Sequence, residues 1–161
     1  MEQSPKTLTF VVPAYNMETY LERCVESLLS ATDNSDIEVL IVDDGSSDST
    51  PELADMYERR WPGNVRAIHQ VNKGHGGAVN TGIANATGMY VKVVDADDWV
   101  DMPSIDTLMG TLRVQRVATD PVDMIVTNYV YDKVGKRVKH TVNFRHAMAT
   151  NTVLGWDDLG C

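Results

Sequence analysis

Met89-Tyr90-Val91-Lys92-Val93-Val94-Asp95-Ala96-Asp97-Asp98-Trp99 is the stretch on which the reading of this chain turns, an apolar run that passes directly into three carboxylates. Short continuous apolar runs with polar breaks at their ends read as strands buried on both faces, and residues 89–94 fit that description. In an open α/β sheet ligands bind at the carboxyl ends of the strands, so acids placed there differ in kind from acids on a helix surface. In extended backbone, side chains two apart share a side, which places Asp95 and Asp97 together at a separation of roughly 7 Å. Three carboxylates within four residues also repel, at a cost on the order of 4 kcal/mol for unit charges about 4 Å apart in an effective dielectric near 20. A divalent cation relieves that repulsion. Oxygen-only donors point to Mg²⁺ or Mn²⁺, and Mg²⁺ usually binds through one or two carboxylates together with substrate phosphates.

Working outward from that strand, the chain alternates strand and helix. Thr7 to Pro13 forms a β-rich run that the proline is expected to close, because proline cannot continue a central ladder. A helix over about 17–31 follows, with Leu21, Cys24, Val25, Leu28 and Leu29 at the spacing of one buried face. Ile37 to Val42 is a second strand ending in Asp43-Asp44-Gly45-Ser46-Ser47-Asp48, and Ser49-Thr50-Pro51-Glu52 predicts a capping box and a proline first turn for a helix to about Arg60. Val65 to Val71 is a third strand. Asn72-Lys73-Gly74-His75-Gly76-Gly77 reads as a glycine-rich turn before a helix that Ala86-Thr87-Gly88 ends. Beyond the acids a helix is expected over Pro103 to Val117, a strand over Val122 to Asn128, and a hairpin over Val130 to Val142 turning at Lys133-Val134-Gly135-Lys136. The order β-α-β-α-β-α-β predicts an α/β fold, a doubly wound and mostly parallel sheet flanked by helices in three layers. With no internal repeat or linker, residues 1–161 read as one domain.

Composition narrows the function classes. The chain has 161 residues, 43% hydrophobic and 23% charged, enough for a sizeable core. Its formal net charge of −9 argues against a nucleic-acid partner, since such binding draws on clustered Lys and Arg. An anionic ligand would need a local cation. The amino terminus lacks the apolar centre of a signal peptide and no run of 18 apolar residues occurs, so a cytoplasmic location is expected. Cys24 and Cys161 give no disulfide framework.

Four segments together resemble a known family. Val11-Val12-Pro13-Ala14-Tyr15-Asn16, Val39 to Asp48, Asn72-Lys73-Gly74 and Asp95-Ala96-Asp97-Asp98 stand in the order and spacing of the nucleotide-sugar half of family 2 glycosyltransferases with the GT-A fold. The resemblance covers about residues 7–105. It implies transfer of a sugar from a nucleoside diphosphate donor, usually a uridine one, to an acceptor hydroxyl with inversion. It also implies the pathway class: polysaccharide, glycolipid or cell-envelope glycan synthesis, with a glycan or lipid-linked acceptor. By the same resemblance the backbone of Pro13, Ala14 and Tyr15 borders the nucleoside and Asp44 accepts from the uracil. Asp95 holds the ribose or a water on the metal, Ala96 lies between the two acids, and Asp97 binds Mn²⁺ or Mg²⁺ directly. Lys73 reaches the base or a phosphate. The catalytic base of the family is a carboxylate well downstream, here expected beyond Cys161, so the sequence reads as part of a longer chain.

Other features have plainer readings. Gly74-His75-Gly76-Gly77 looks like a dinucleotide fingerprint, but such a loop follows the first strand, not the third. Glu18 reads as a helix-terminus charge, and His69, His75, His140 and His146 lack metal-ligand spacing and read as surface or strand residues. Lys133, Lys136, Arg137 and Lys139 form a basic hairpin, first a solvated face, with peripheral contact to anionic lipid at the inner face of a membrane as the alternative. Two rival functions remain. A sugar nucleotidyltransferase would carry a glycine-rich loop where this chain has Pro13-Ala14-Tyr15-Asn16, and a non-catalytic nucleotide-sugar-binding module would need no downstream base.

Overall fold

A computed structural model describes residues 5–132, 139–146 and 152–155. The chain divides into two compact units, residues 1–118 and 119–161. The first holds a four-stranded sheet of β1 (Leu8–Ala14), β2 (Ile37–Asp43), β3 (Val65–His69) and β4 (Tyr90–Val93), with α1 (Leu21–Leu28), α2 (Thr50–Arg60), α3 (Gly74–Asn85) and α4 (Met102–Arg116). All strand pairs in it are parallel, and the order is β3-β2-β1-β4. The chain therefore builds outward from β1 to β3 and then crosses back to β1's other side with β4. That reversal is the topological switch point at which open sheets form their crevice.

Every residue of β1 and β2 is buried, which matches their unbroken apolar sequences. One face of the sheet gathers Val11, Val42 and Ile68 against Ala78 of α3. Gly82 brings that helix close, because a Cβ there would collide with the side chain of Val11. Glu38 and Thr9 occupy the amino end of the sheet, where a carboxylate is kept charged in a buried setting by four donors. Glu38 Oε2 accepts from Thr9 Oγ1 (2.7 Å), Thr87 N (2.9 Å) and Thr87 Oγ1 (3.0 Å), and Oε1 accepts from Arg66 (3.1 Å).

Several expectations change. Pro13 does not end β1, which runs to Ala14 with Pro13 opposite Val42. The reason is direction. Odd-numbered residues of β1 face β4, where Val94 N–H donates to Val11 C=O, while Ala14 C=O on the other side accepts from Asp44 N–H. Pairing with β4 stops at Val11, so the missing N–H of Pro13 falls where no ladder needs it. β4 is not buried on both faces either: it lies at the edge of the sheet and Val91 and Val93 are exposed.

The first helix starts at Leu21 rather than near 17, because the N–H groups of Met17 and Glu18 go to Thr50 Oγ1 (2.8 Å) and Asp48 Oδ2 (3.1 Å). The capping box at Ser49 does not form. Asp48 Oδ1 takes the Thr50 N–H (3.0 Å) and Glu18 Oε2 takes the Ser49 N–H (3.0 Å) in its place. Gly74 to Gly77 belong to the first turn of α3 and are not a separate turn, and β3 ends at His69.

The second unit contains β5 (Tyr129–Tyr131) paired antiparallel with β6 (His140–Val142), and a 3₁₀ turn at Phe144–His146. This is the expected hairpin, whose tip lies outside the described residues together with Lys133, Lys136 and Arg137. The strand expected over 122–128 is absent. An apolar run adopts a ladder only beside a partner, and the described residues offer none to that segment.

Candidate active site

The carboxyl ends of the strands share one cleft of about 490 Å³. From the end of β1 come Pro13, Ala14, Tyr15 and, beyond the strand, Met17; Asp44 follows β2; Asp95, Ala96 and Asp97 follow β4. The connection from β3 into α3 adds Asn72, Gly74, His75 and Ala78. Seven of the eight candidate residues thus stand together. Lys73 is not among the lining residues. Its backbone N–H, at the start of α3, donates to Asp44 Oδ1 at 2.8 Å.

Asp44 is 2% exposed, so its charge must be satisfied locally. Burial pushes its carboxyl up, but the hydrogen bond from Gln70 Nε2 (2.6 Å), those from the backbone of Lys73 and Gly74, and the Lys73 charge together hold it below the usual range. Gln70 is itself oriented by Thr81 Oγ1, which donates to its Oε1 at 2.6 Å. Gly45 has φ +74°, and a Cβ on it would lie 3.0 Å from Asn72 N, so a glycine lets the loop after β2 sit against the one after β3.

The loops after β1 and β2 are stitched together. Asn16, at φ 54°, donates its N–H to Ser46 Oγ (2.9 Å) and accepts from Ser47 N–H (2.9 Å) at Oδ1. Asp48, in the acidic segment that follows β2, ties these loops through Glu18 and Thr50 and is not among the residues lining the cleft. Asp43 also turns away. Its Oδ1 accepts from Ser46 N–H (3.0 Å), and its Oδ2 lies 3.1 Å from His69 Nδ1.

At the end of β4 the acids leave the extended conformation. Asp98 N–H donates to Asp95 C=O at 2.9 Å, closing a turn, so the two-residue alternation expected of a strand does not apply to Asp95 and Asp97. What brings them together is the cleft they both line. Partial burial first, and then the charges of Asp97 and Asp95, hold Asp98 above the usual carboxylate range; the second cause is the repulsion anticipated from three acids within four residues.

Helix α1 grips this turn from behind. Cys24 Sγ lies 3.7 Å from Asp95 C=O, Ser27 Oγ accepts from Val100 N–H at 3.1 Å, and the Arg23 guanidinium sits 3.3 Å from the centre of the Trp99 ring. Burial and the charges of Asp98, Asp97 and Asp95 push the Cys24 thiol up to about 12, which leaves it a packing group and not a nucleophile.

His75 is the residue that sequence reasoning missed. Its Nε2 lies 2.8 Å from Asp95 Oδ1, a contact across twenty residues for which the sequence carries no periodic signal. Among the described residues no three His, Cys, Asp or Glu side chains converge into a metal cage. Asp95 and Asp97 nonetheless supply hard oxygen donors at an open cleft. That donor set fits Mg²⁺ or Mn²⁺, whose coordination is normally completed by water and ligand phosphates.

A parallel sheet flanked by helices, with acids at the switch-point edge, defines a GT-A type of α/β domain. The family described as Glycosyl transferase family 2 matches residues 9–156, and the chain belongs to that family. It is 40% identical over 128 residues to glycosyltransferase GlyG of Streptococcus pneumoniae, covering 78% of this chain and 40% of that protein. Among solved structures it resembles S. aureus TarS 1-349 in complex with UDP-GlcNAc, with a TM-score of 0.61 and 26% identity over 68% of this chain and 32% of that one. A similar match, with a TM-score of 0.58 and 26% identity, is the Pyrobaculum calidifontis mannosyltransferase PcManGT in complex with GDP-Man and Mn²⁺, covering 70% of this chain and 34% of that one. The chain therefore spans well under half the length of these relatives.

Proposed function

We propose that the cleft binds a nucleoside diphosphate sugar of the uridine series with a divalent cation. The protein then serves transfer of the sugar to an acceptor hydroxyl with inversion, in the building of a glycan or a lipid-linked saccharide. The observation that carries this reading is the gathering of Asp44, the backbone of Pro13 to Tyr15, and Asp95 to Asp97 around one cleft. It is supported by the nucleotide sugars named in the TarS and PcManGT structures.

In this reading Asp44, charged and preorganised by Gln70 and by the Lys73 N–H, accepts from the imide N–H of the base. Tyr15, about half exposed, offers its ring and backbone to the nucleoside. Asp97 anchors the cation and Asp95 holds the ribose or assists the anchor. The bound ion supplies Lewis-acid stabilisation of the charge that collects on the departing diphosphate. The turn behind the acids, fixed by α1, keeps these oxygens in place before the donor arrives, so little reorganisation is left for the moment of binding.

Asp97 is exposed, so Asp97→Ala leaves the core intact. Calorimetry of UDP with Mn²⁺ should show its affinity reduced by about tenfold or more, with the unfolding midpoint unchanged. Equal UDP affinity in the variant and the parent chain would sink the assignment.

A further inference from the structure

We propose that His75 is a binding residue for the diphosphate of the donor, released from Asp95 when the nucleotide enters. The inference rests on the nucleotide-sugar reading above and adds a residue to it. Its starting point is a charge imbalance. The cleft is lined by the carboxylates of Asp44, Asp95 and Asp97, and among the described residues lining it there is no Lys or Arg. The chain as a whole carries a formal net charge of −9. A diphosphate entering such a cleft meets a repulsive field that one divalent ion offsets only in part. His75 is the one basic side chain among those lining residues.

Its geometry suits the task. A carboxylate can only accept, so the 2.8 Å contact with Asp95 Oδ1 places a proton on His75 Nε2. That N–H points into the acidic edge of the cleft, where the phosphates would lie beside the cation. Among the described residues no second contact holds the ring, and its side chain is 65% exposed, so it can exchange one acceptor for another. Its surroundings are open on the cleft side: the imidazole lines the cleft beside Asp95, Ala96 and Asp97, where a phosphate oxygen would approach it. Asp95 is at once the present partner of His75 and a proposed partner of the ribose or the ion. When Asp95 takes up that work, the imidazole N–H loses its acceptor, and a phosphate oxygen replaces it with a hydrogen bond to a charged group.

Calorimetry with two probes, UDP and uridine, each with Mn²⁺ at one fixed pH, tests this on the full chain. His75→Ala should weaken UDP by about tenfold and leave uridine within about twofold, because only UDP carries the diphosphate. His75→Gln, which keeps a side-chain N–H donor, should recover most of the UDP affinity. Unchanged UDP binding in His75→Ala overturns the proposal, and so does an equal loss for UDP and uridine, which would make His75 a structural support of Asp95. Asp97→Ala run in parallel separates the two levels of inference. If Asp97→Ala loses UDP while His75→Ala does not, the donor site stands and the role of His75 falls. If the parent chain fails to bind UDP with Mn²⁺, both fall together.

Discussion

His69, at the end of β3, lies between two carboxylates, with Nδ1 3.1 Å from Asp43 Oδ2 and Nε2 3.0 Å from Asp55 Oδ1. The hydrogen bonds to Asp55 and Asp43 outweigh partial desolvation and raise its pKa above the ordinary 6.5. A folded-state value above the unfolded one contributes stability that is complete below the unfolded pKa and is lost as pH rises through the folded one. Asp44 and Asp48 behave oppositely. Both carboxyls are held below the usual range, Asp48 because hydrogen bonds from Thr50 and Glu18 outweigh burial, so their contribution is present above the unfolded value and lost as pH falls through the folded one. The unfolding midpoint should therefore decline on the acid side and again as pH climbs above the ordinary histidine value of 6.5. His69→Gln should flatten the second decline and spare the first. A parent midpoint that stays level across that upper window would remove the argument. At this scale the candidates themselves were readable, because an Asp after a strand is visible in a sequence. The partners that decide what each Asp does, such as Gln70 and Thr81 for Asp44, were not.

Among elements, α1 has the clearest functional consequence. Its apolar face of Leu21, Cys24, Val25, Leu28 and, at the cap, Leu29 was legible from spacing, and all five are buried as expected. The same helix also holds the acidic turn through Arg23, Cys24 and Ser27, three contacts that no periodicity announces. Ser27→Ala removes the acceptor for the Val100 N–H, at a stability cost of about 0.5–1.5 kcal/mol. We expect a second effect, a weaker Mn²⁺-dependent UDP affinity with uridine binding unchanged, because the turn that carries Asp95 and Asp97 loses a support. Ser27→Thr should restore it. A variant that unfolds earlier yet binds UDP as the parent does would limit Ser27 to a structural role. Element ends departed from expectation wherever a neighbouring loop competed for backbone donors. Met17 and Glu18 were drawn out of α1 by Thr50 and Asp48, and the Ser49 cap was displaced by Asp48 and Glu18.

The whole first unit is organised by its strand order. With β3-β2-β1-β4, the ends of β1 and β4 are adjacent but their following segments depart separately, and the crevice between them is lined by both the Pro13 to Tyr15 edge and the acidic edge. A ligand that bridges the two edges binds only the folded chain, and should raise the unfolding midpoint. UDP and Mn²⁺ together should raise it further than either alone, since the ion and the diphosphate complete one another. Equal, independent shifts in a thermal melt would show that they do not share a site.

The amino-acid order by itself determined the alternation of strand and helix, the parallel sheet, the acids at the strand ends and the family they resemble. Each is written locally, in apolar runs, turn residues and short motifs. Only the tertiary structure decided that β4 lies at an edge, that Pro13 stays inside β1, that residues 122–128 form no strand, and that His75 meets Asp95. Those outcomes depend on which segments become neighbours across the sheet, and a competition among distant donors and acceptors has no trace in the order of the chain.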